Sequence, residues 1–245
     1  EQLIALNPQI KNINLIFPGQ KIIIKAGNKN ADVKELTTDI LIVGAGGSGL
    51  AAANTAIRNG ADVLVIEKMA TPGGATAVSG GGFMGGASNL QHSYGITEDS
   101  VEQIYEDLLK GGEDNYTPLL RLFAQNAGKT VDWMHDVLKL PFADSISGAV
   151  EHTYKRSFSM QGGAAGLTSS LVNTYTSQGG EIMLNTKAIK LIKEGNRITG
   201  VLAEKDGVQI TIHAKSVVLA TGGFGNNRDL LPSSVKNILY YGPEC

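Results

Sequence analysis

The stretch that decides the fold is "DILIVGAGGSGLAAA", Asp39 to Ala53. Its apolar run, Ile40–Val43, is typical of a strand that is buried on both faces of a parallel sheet. The small residues after the glycines favour a helix over residues 48–59. A second strand over residues 62–68 would complete a strand–helix–strand unit. The sequence therefore predicts an α/β fold with a parallel sheet and helices.

The glycines in this stretch have the spacing of a dinucleotide-binding turn. Gly44, Gly46 and Gly49 form a G-x-G-x-x-G pattern between the predicted strand and helix, which is the context that the pattern requires. Gly44 permits the tight turn, Gly46 lets the backbone approach a pyrophosphate, and Gly49 lets the helix pack closely on the strand. A pyrophosphate at the helix N-terminus would contact the whole turn: Gly44, Ala45, Gly46, Gly47, Ser48 and Gly49.

An acidic residue ends the second predicted strand. Glu67 stands 18 residues after Gly49, where a carboxylate can accept a hydrogen bond from a ribose 2′-hydroxyl. The same charge repels a 2′-phosphate and argues against NADP. We include the next residue, Lys68, in the predicted cofactor site. At this point both NAD and FAD remain possible.

A second glycine-rich segment follows the acid and favours the longer of these cofactors. "TPGGATAVSGGGFMGGAS", Thr71–Ser88, has too many glycines for a regular element and predicts an irregular loop close to a ligand. Its hydroxyl side chains suit a cofactor with a ribityl chain and a flavin ring. The predicted contacts are Gly73, Gly74, Thr76, Ser79, Gly80 and Gly81.

These motifs resemble the FAD-binding family that contains the fumarate reductase and succinate dehydrogenase flavoproteins, whose pattern is "E…GG.t..s.GG…a". "VVLATGGFGNN" resembles the returning strand and turn of that family, with Thr221, Gly222 and Gly223 as further cofactor contacts. "LLKGGEDNYTPLLRLFAQNAGKTVDWM" resembles the helical segment of soluble fumarate reductases and urocanate reductases. The resemblance covers residues 38–242. It implies a Rossmann-like FAD-binding domain with an added antiparallel β-element, over residues 38–245.

The resemblance also implies a reaction. In that family, reduced FAD passes a hydride to an activated alkene such as fumarate, an arginine supplies the proton, and further arginines and a histidine hold the carboxylates. Those motifs lie well after the "ATGGF" turn, whereas this sequence stops at Cys245. We therefore expect a domain that is incomplete at its C-terminus, unknown catalytic residues, and no turnover by this fragment alone. Arg156 is a candidate substrate contact, but a structural ion pair or a surface position is the favoured interpretation.

The remaining segments are predicted from periodicity and turn residues. Apolar residues at helical spacing predict helices over residues 97–111, 116–138 and 164–178. A loop is predicted over 141–163. Strands are predicted over 181–193, 197–205, 208–213 and 216–220, and "KDG" at Lys205–Gly207 indicates a hairpin turn between the second and third of them.

The first 25 residues resemble a different family, the LysM module. The residues that match its second half are Leu6, Asn7, Pro8, Ile10, Ile16, Pro18, Gly19, Gln20 and Ile22. Such modules bind N-acetylglucosamine-containing glycans, so the resemblance implies peptidoglycan as a partner. It also implies a bacterial protein that lies outside the cytoplasm or at the cell wall. A cytoplasmic location remains the alternative. Residues 26–37 are polar and predict a linker.

Composition limits the other function classes. The 245 residues carry a net charge of −2 and one cysteine, which argues against nucleic acid binding and excludes a disulfide framework within the chain. Four histidines without metal-ligand spacing predict no metal site, and the lack of a long apolar run predicts no membrane span. An enzyme of the resembled type outside the cytoplasm would need an electron donor, and an FMN-bearing domain and a haem protein are the candidates. The alternatives are a wall-associated glycan-binding protein with a non-catalytic flavin domain, and an NAD-dependent Rossmann enzyme.

Overall fold

A computed structural model describes Asn7, Ile10, Ile22, residues 34–112, residues 116–224 and Leu230. The described chain contains nine strands and six helices. The strands are β1 Lys34–Val43, β2 Val63–Ile66, β3 Gly82–Met84, β4 Phe142–Ser147, β5 Ser157–Met160, β6 Glu181–Met183, β7 Thr186–Glu194, β8 Arg197–Lys205 and β9 Val208–Leu219. The helices are α1 Gly47–Arg58, α2 Gly74–Ala77, α3 Asn89–Ser93, α4 Val101–Lys110, α5 Thr117–Asp136 and α6 Gly163–Ser177.

The main sheet has six strands in the order β6-β2-β1-β9-β8-β7. β1 pairs in parallel with β2 and β9, so Val43 lies beside both Ile66 and Leu219. The carboxyl ends of these three strands therefore meet at one edge of the sheet. β7, β8 and β9 pair antiparallel. The predicted α/β class, with a parallel sheet, helices and an added antiparallel element, is confirmed.

Two buried clusters cover the two faces of the parallel strands. Alternate residues of a strand point to opposite faces, and Ile42 belongs to a cluster with Leu50 of α1 and Leu171 of α6. Its neighbour Leu41 belongs to a cluster with Ile212 of the antiparallel element. The continuous apolar run is thus explained by burial on both sides, which fixes the edge that carries the glycine turn.

A three-stranded sheet, β3-β5-β4, packs with α3, α4 and α5 beside this core. Arg156, fully buried just before β5, joins this sheet to α4 and the residues before it. Its guanidinium donates to both carboxylate oxygens of Asp99 and to Asp107 at 2.8–2.9 Å. Burial alone would raise the pKa of Asp107, but hydrogen bonds from Lys110, Thr153 and Arg156 outweigh burial and hold that pKa well below its usual range. Arg156 is therefore a structural ion-pair residue, which is one of the two favoured interpretations. The other, a surface position, is wrong because the side chain is fully buried.

Three sequence predictions are corrected because pairing between distant segments overrides local composition. β1 begins at Lys34, since residues 34–38 pair with β9, so residues 34–37 belong to the sheet rather than to a linker. The glycine-rich segment 71–88 contains α2 and β3. The predicted loop 141–163 contains β4 and β5, which pair with each other, and β5 also pairs with β3.

Strand boundaries also differ in the antiparallel element. The predicted strand over 181–193 is two strands, because β6 pairs with β2 while β7 pairs with β8, and Asn185 between them has φ +54°. The predicted strands 208–213 and 216–220 form one strand, β9. Helix α3 was not predicted. The LysM-like piece lies outside the described residues, apart from Asn7, Ile10 and Ile22. Within the described ranges, no helix has the length and apolar character to cross a bilayer.

Candidate functional site

A cleft of about 700 Å³ opens at the edge where β1, β2 and β9 end. The glycine turn after β1 forms its floor, and the chain after β2, including α2, forms one wall. The start of β7 and the turn after β9 complete the lining. This is the place where ligands bind in α/β folds, because loops from neighbouring parallel strands diverge there.

The glycine turn has the geometry that its spacing predicts. Gly44 has φ +107°, and a side chain there would collide with the carbonyl oxygen of Ala220. A side chain at Gly49 would collide with the carbonyl oxygen of Gly44, so α1 packs directly on the turn. A Cβ at Gly46 would meet nothing nearer than Gly73 O at 3.8 Å. Backbone around Gly46 is thus open to a ligand.

The first turn of α1 has features that favour the binding of an anion. Gly46 caps the helix without a side-chain hydrogen bond, and the first turn holds no acidic residue. Ser48 at its start is exposed and lines the cleft. Backbone N–H groups at a helix N-terminus attract negative charge through their dipoles. This end of the cleft suits a pyrophosphate.

Glu67 connects the end of β2 to the glycine turn. One carboxylate oxygen accepts a hydrogen bond from Ala45 N–H, and the other accepts one from Met69 N–H, both at 2.8 Å. The residue is 8% exposed and lines the cleft. An ionised carboxylate has about four acceptor positions, so Glu67 can still accept from a ribose hydroxyl.

The charges that line the described part of the cleft are few. They are the carboxylate of Glu67 and the ammonium groups of Lys68 and Lys187, and no arginine or histidine is among these lining residues. One negative and two positive groups suit a phosphorylated ligand better than a cation. A planar, two-pronged contact to a carboxylate, which arginine makes best, is not available from these residues.

Most predicted cofactor contacts come together in this cleft. The lining includes Gly44, Gly46, Gly47, Ser48, Glu67, Lys68, Gly74, Thr76, Thr221, Gly222 and Gly223. They come from four separate segments of the sequence, and the strand pairing brings them to one edge. The turn after β9 therefore does return to the first glycine turn.

The other predicted contacts lie beside the cleft rather than in it. Ala45 is fully buried under the turn, and Gly49 and Gly73 are also buried. Gly73 N–H donates to Ala45 O at 2.8 Å, so these residues support the turn. Ser79, Gly80 and Gly81 follow α2 and are not among the lining residues. Their role in cofactor binding stays a prediction.

One wall of the cleft was not predicted from the sequence. Thr186, Lys187 and Ala188 at the start of β7 line it, and Thr186 N–H donates to Glu67 O at 2.7 Å. The sequence feature that could have indicated this wall is the position of these residues directly after β6, a short strand that extends the sheet beyond β2. The prediction of one strand over residues 181–193 leaves out the break between β6 and β7.

The fit of a dinucleotide can be judged from this geometry. The turn is tight because a Cβ at residue 44 would collide with Ala220 O, the backbone around Gly46 is open, and Glu67 at the end of the neighbouring strand bonds to the turn. Residues 39–245 match the family model described as an FAD binding domain. The chain belongs to this FAD-binding family. The match covers every segment that lines the cleft.

Curated relatives of this FAD-binding domain are reductases. It is 35% identical over 201 residues to the NADH:fumarate oxidoreductase of Klebsiella pneumoniae, covering 80% of this chain and 21% of the relative. It is 32% identical to a probable fumarate reductase of Shewanella frigidimarina, covering 84% and 34%. It is 33% identical to the urocanate reductase of Eggerthella lenta, covering 80% and 33%. The chain thus spans about a fifth to a third of the length of these relatives.

Solved structures agree with the fold of the FAD-binding domain. The open conformation of a flavocytochrome c3 fumarate reductase superposes with a TM-score of 0.75 at 30% identity, covering 82% of this chain and 37% of that one. A 3-ketosteroid-Δ4-(5α)-dehydrogenase from Rhodococcus jostii superposes with a TM-score of 0.69 at 25% identity, covering 81% and 48%. The architecture is therefore shared with proteins whose names give different substrates.

Proposed function

We propose that this chain is the FAD-binding part of an oxidoreductase that reduces the carbon–carbon double bond of an α,β-unsaturated carboxylate. The observation that carries the proposal is the cleft in which the turns after β1 and β9 meet Glu67. The turn Gly44–Gly49 would hold the pyrophosphate, Glu67 the adenosine ribose, and residues 221–223 would close the site from the far side.

The names of the relatives support the reaction class. They include fumarate, urocanate and acrylate reductases, all of which are named for unsaturated carboxylates. FAD would supply the hydride chemistry when bound, and the residues of this chain bind and orient it. Fumarate is the first substrate to test, because several of the relatives are named for it.

Substrate binding must draw on other residues than those described in the cleft. A dicarboxylate requires cationic side chains with fixed geometry, and Lys68 and Lys187 are the only basic residues of the described lining. We therefore propose that the 245-residue chain binds FAD and does not reduce fumarate by itself. The proton donor and the carboxylate contacts would come from a larger protein.

The test begins with the cofactor. The purified chain is titrated with FAD and, in parallel, with NADH, and binding is followed by flavin fluorescence and by equilibrium dialysis. We expect saturable FAD binding with a flavin absorption spectrum and no comparable NADH binding. Binding of NADH but not FAD would support the alternative of an NAD-dependent enzyme and would overturn this proposal.

The reaction is tested on the loaded chain. Its FAD is reduced with dithionite under anaerobic conditions, excess dithionite is removed, and fumarate, urocanate or acrylate is added. We expect no rapid reoxidation by the isolated chain, and reoxidation by a longer version of the protein that supplies arginines. Rapid reoxidation by the 245-residue chain would place the substrate groups within it.

Two partners are proposed on the sequence alone. An FMN-bearing or haem-bearing donor would reduce the flavin, and residues 1–25 would bind peptidoglycan outside the cytoplasm or at the cell wall. A pull-down of the chain with isolated peptidoglycan, compared with a chain that begins at residue 34, tests the second idea. Equal retention of the two chains would contradict it.

A further inference from the structure

Thr76 makes a direct contact between two walls of the cleft. Its side-chain Oγ1 accepts a hydrogen bond of 3.1 Å from the backbone N–H of Gly47, in the first turn of α1. Both residues line the cleft. The bond therefore fixes one N–H of the anion-binding turn to the hydroxyl of a residue 29 positions later.

The surrounding backbone holds this contact in place. A Cβ at Gly47 would lie 2.7 Å from Thr76 Oγ1, so a side chain at residue 47 would push the hydroxyl away. Gly73 forms a parallel bridge with Gly46 and donates to Ala45 O at 2.8 Å. The chain before Thr76 is thus bonded to the glycine turn by backbone, and the threonine adds a side-chain bond to the same turn.

The hydroxyl of Thr76 can still donate a hydrogen bond. A threonine hydroxyl can donate one hydrogen bond while it accepts others. Within the described ranges Thr76 Oγ1 acts as the acceptor from Gly47 N–H and donates none. Accepting a bond polarises the O–H and strengthens it as a donor. Such a donor beside a helix N-terminus is suited to an oxyanion.

We propose that Thr76 is a positioning residue for the pyrophosphate of FAD. In this relay, its hydroxyl accepts the hydrogen bond from Gly47 N–H and donates its own hydrogen to a phosphate oxygen. The proposal rests on the proposed function, since it assumes that FAD occupies this cleft. It assigns to the side chain of Thr76 a role at the phosphate end, whereas the sequence placed this hydroxyl beside the ribityl chain and the flavin. Valine at this position would keep the shape but remove both hydrogen bonds.

The experiment measures binding rather than turnover. Dissociation constants for FAD are determined for the wild-type chain, Thr76→Val, Thr76→Ser and Thr55→Val. Thr55 lies on α1 and is exposed, and within the described residues its hydroxyl bonds only to Ala51 O, which makes it a matched control. We expect Thr76→Val to weaken FAD binding at least about tenfold, as for loss of a hydrogen bond to a charged group. Serine keeps the hydroxyl and should stay within about threefold, and Thr55→Val should bind like wild type.

A second ligand locates the effect on the phosphates. ADP contains the pyrophosphate without the flavin, and its dissociation constant is measured by competition with FAD. The relay requires Thr76→Val to weaken ADP and FAD by the same factor. A loss confined to FAD would place the hydroxyl at the flavin end and overturn the proposal, and so would wild-type affinity for both ligands.

The outcomes also separate this proposal from the proposed function. If the wild-type chain fails to bind FAD, the proposed function fails before Thr76 is tested. If wild type binds and the valine variant binds equally well, only the relay fails. Should Thr76→Val unfold, Thr76→Ala is used with the same two ligands, and the serine variant remains the comparison that restores the hydroxyl.

Discussion

Arg156 and Asp99 form a two-pronged ion pair in which neither side chain is exposed: Nε and Nη2 of the arginine donate to the two carboxylate oxygens at 2.9 and 2.8 Å. The pair lies outside the cleft and links β5 to the start of α4. Its contribution is therefore to stability, and it can be tested without the cofactor.

Replacing Arg156 with methionine should strongly destabilise the chain. The change leaves the carboxylate of Asp99 buried without its cation and leaves Asp107 with Lys110 as its remaining cation, and breaking a buried pair by removing one partner costs about 3–5 kcal/mol. The free energy of unfolding is measured by urea denaturation. The matched control is Arg121→Met, since Arg121 pairs with the exposed Glu102. Such surface pairs contribute about 0–1 kcal/mol, and equal losses for the two variants would contradict the buried role.

Gly44→Ala should disrupt the glycine turn. The alanine must adopt φ +107° and its Cβ collides with Ala220 O, so strain and overpacking together should cost about 2–5 kcal/mol. Gly60→Ala separates the two effects, because Gly60 has φ +82° but no atom within 4 Å of the point where its Cβ would lie. We expect a clearly smaller loss in thermal stability there. A loss at Gly44 no greater than at Gly60 would mean that the collision relaxes freely.

Glu67→Gln should weaken both folding and FAD binding. A glutamine side chain offers one acceptor oxygen, so either Ala45 N–H or Met69 N–H would face an amide NH₂ instead of a carboxylate. The loss of a charge-assisted bond should cost about 1.5–3 kcal/mol. Denaturation of the free chain and FAD titration are compared with Glu35→Gln on the exposed part of β1. If FAD affinity falls while stability is unchanged, the carboxylate acts on the ligand and not on the turn.

Tyr175 should make the chain sensitive to alkaline pH. Burial raises the pKa of its hydroxyl to about 12, and the hydroxyl donates to Val63 O at 2.6 Å. The unfolded chain ionises this group near its ordinary value of 10.0, so the stabilisation is complete below that pH and is lost as pH rises toward 12. For this one group, the free energy of unfolding falls by at most about 1.4 kcal/mol per pH unit. Stability measured across this range should fall less steeply for Tyr175→Phe, and parallel curves would refute the assignment.

The parts of the site that sequence could predict are those coded by a local pattern. The turn Gly44–Gly49 needs small residues at fixed spacing because a Cβ at either end would collide with backbone, and Glu67 follows from the end of a short apolar strand. The role of Thr186 could not be found in this way, because it depends on β6 pairing beside β2. The same holds for β3, whose Phe83 pairs with Phe158 far along the chain, so that partner choice rather than composition makes it a strand.

The pairing of β1 with β9 also has a consequence for synthesis on the ribosome. Val43 has Leu219 as its neighbour in the sheet, and the two come from opposite ends of the described chain. The second edge of the central strand, β1, can therefore pair only after almost the whole of the described sequence has been synthesised. Contacts of such long sequence separation slow folding and leave strand edges open to other chains. We expect nascent chains that stop before β9 to aggregate or to recruit chaperones, whereas release of a chain that includes β9 lets the sheet close.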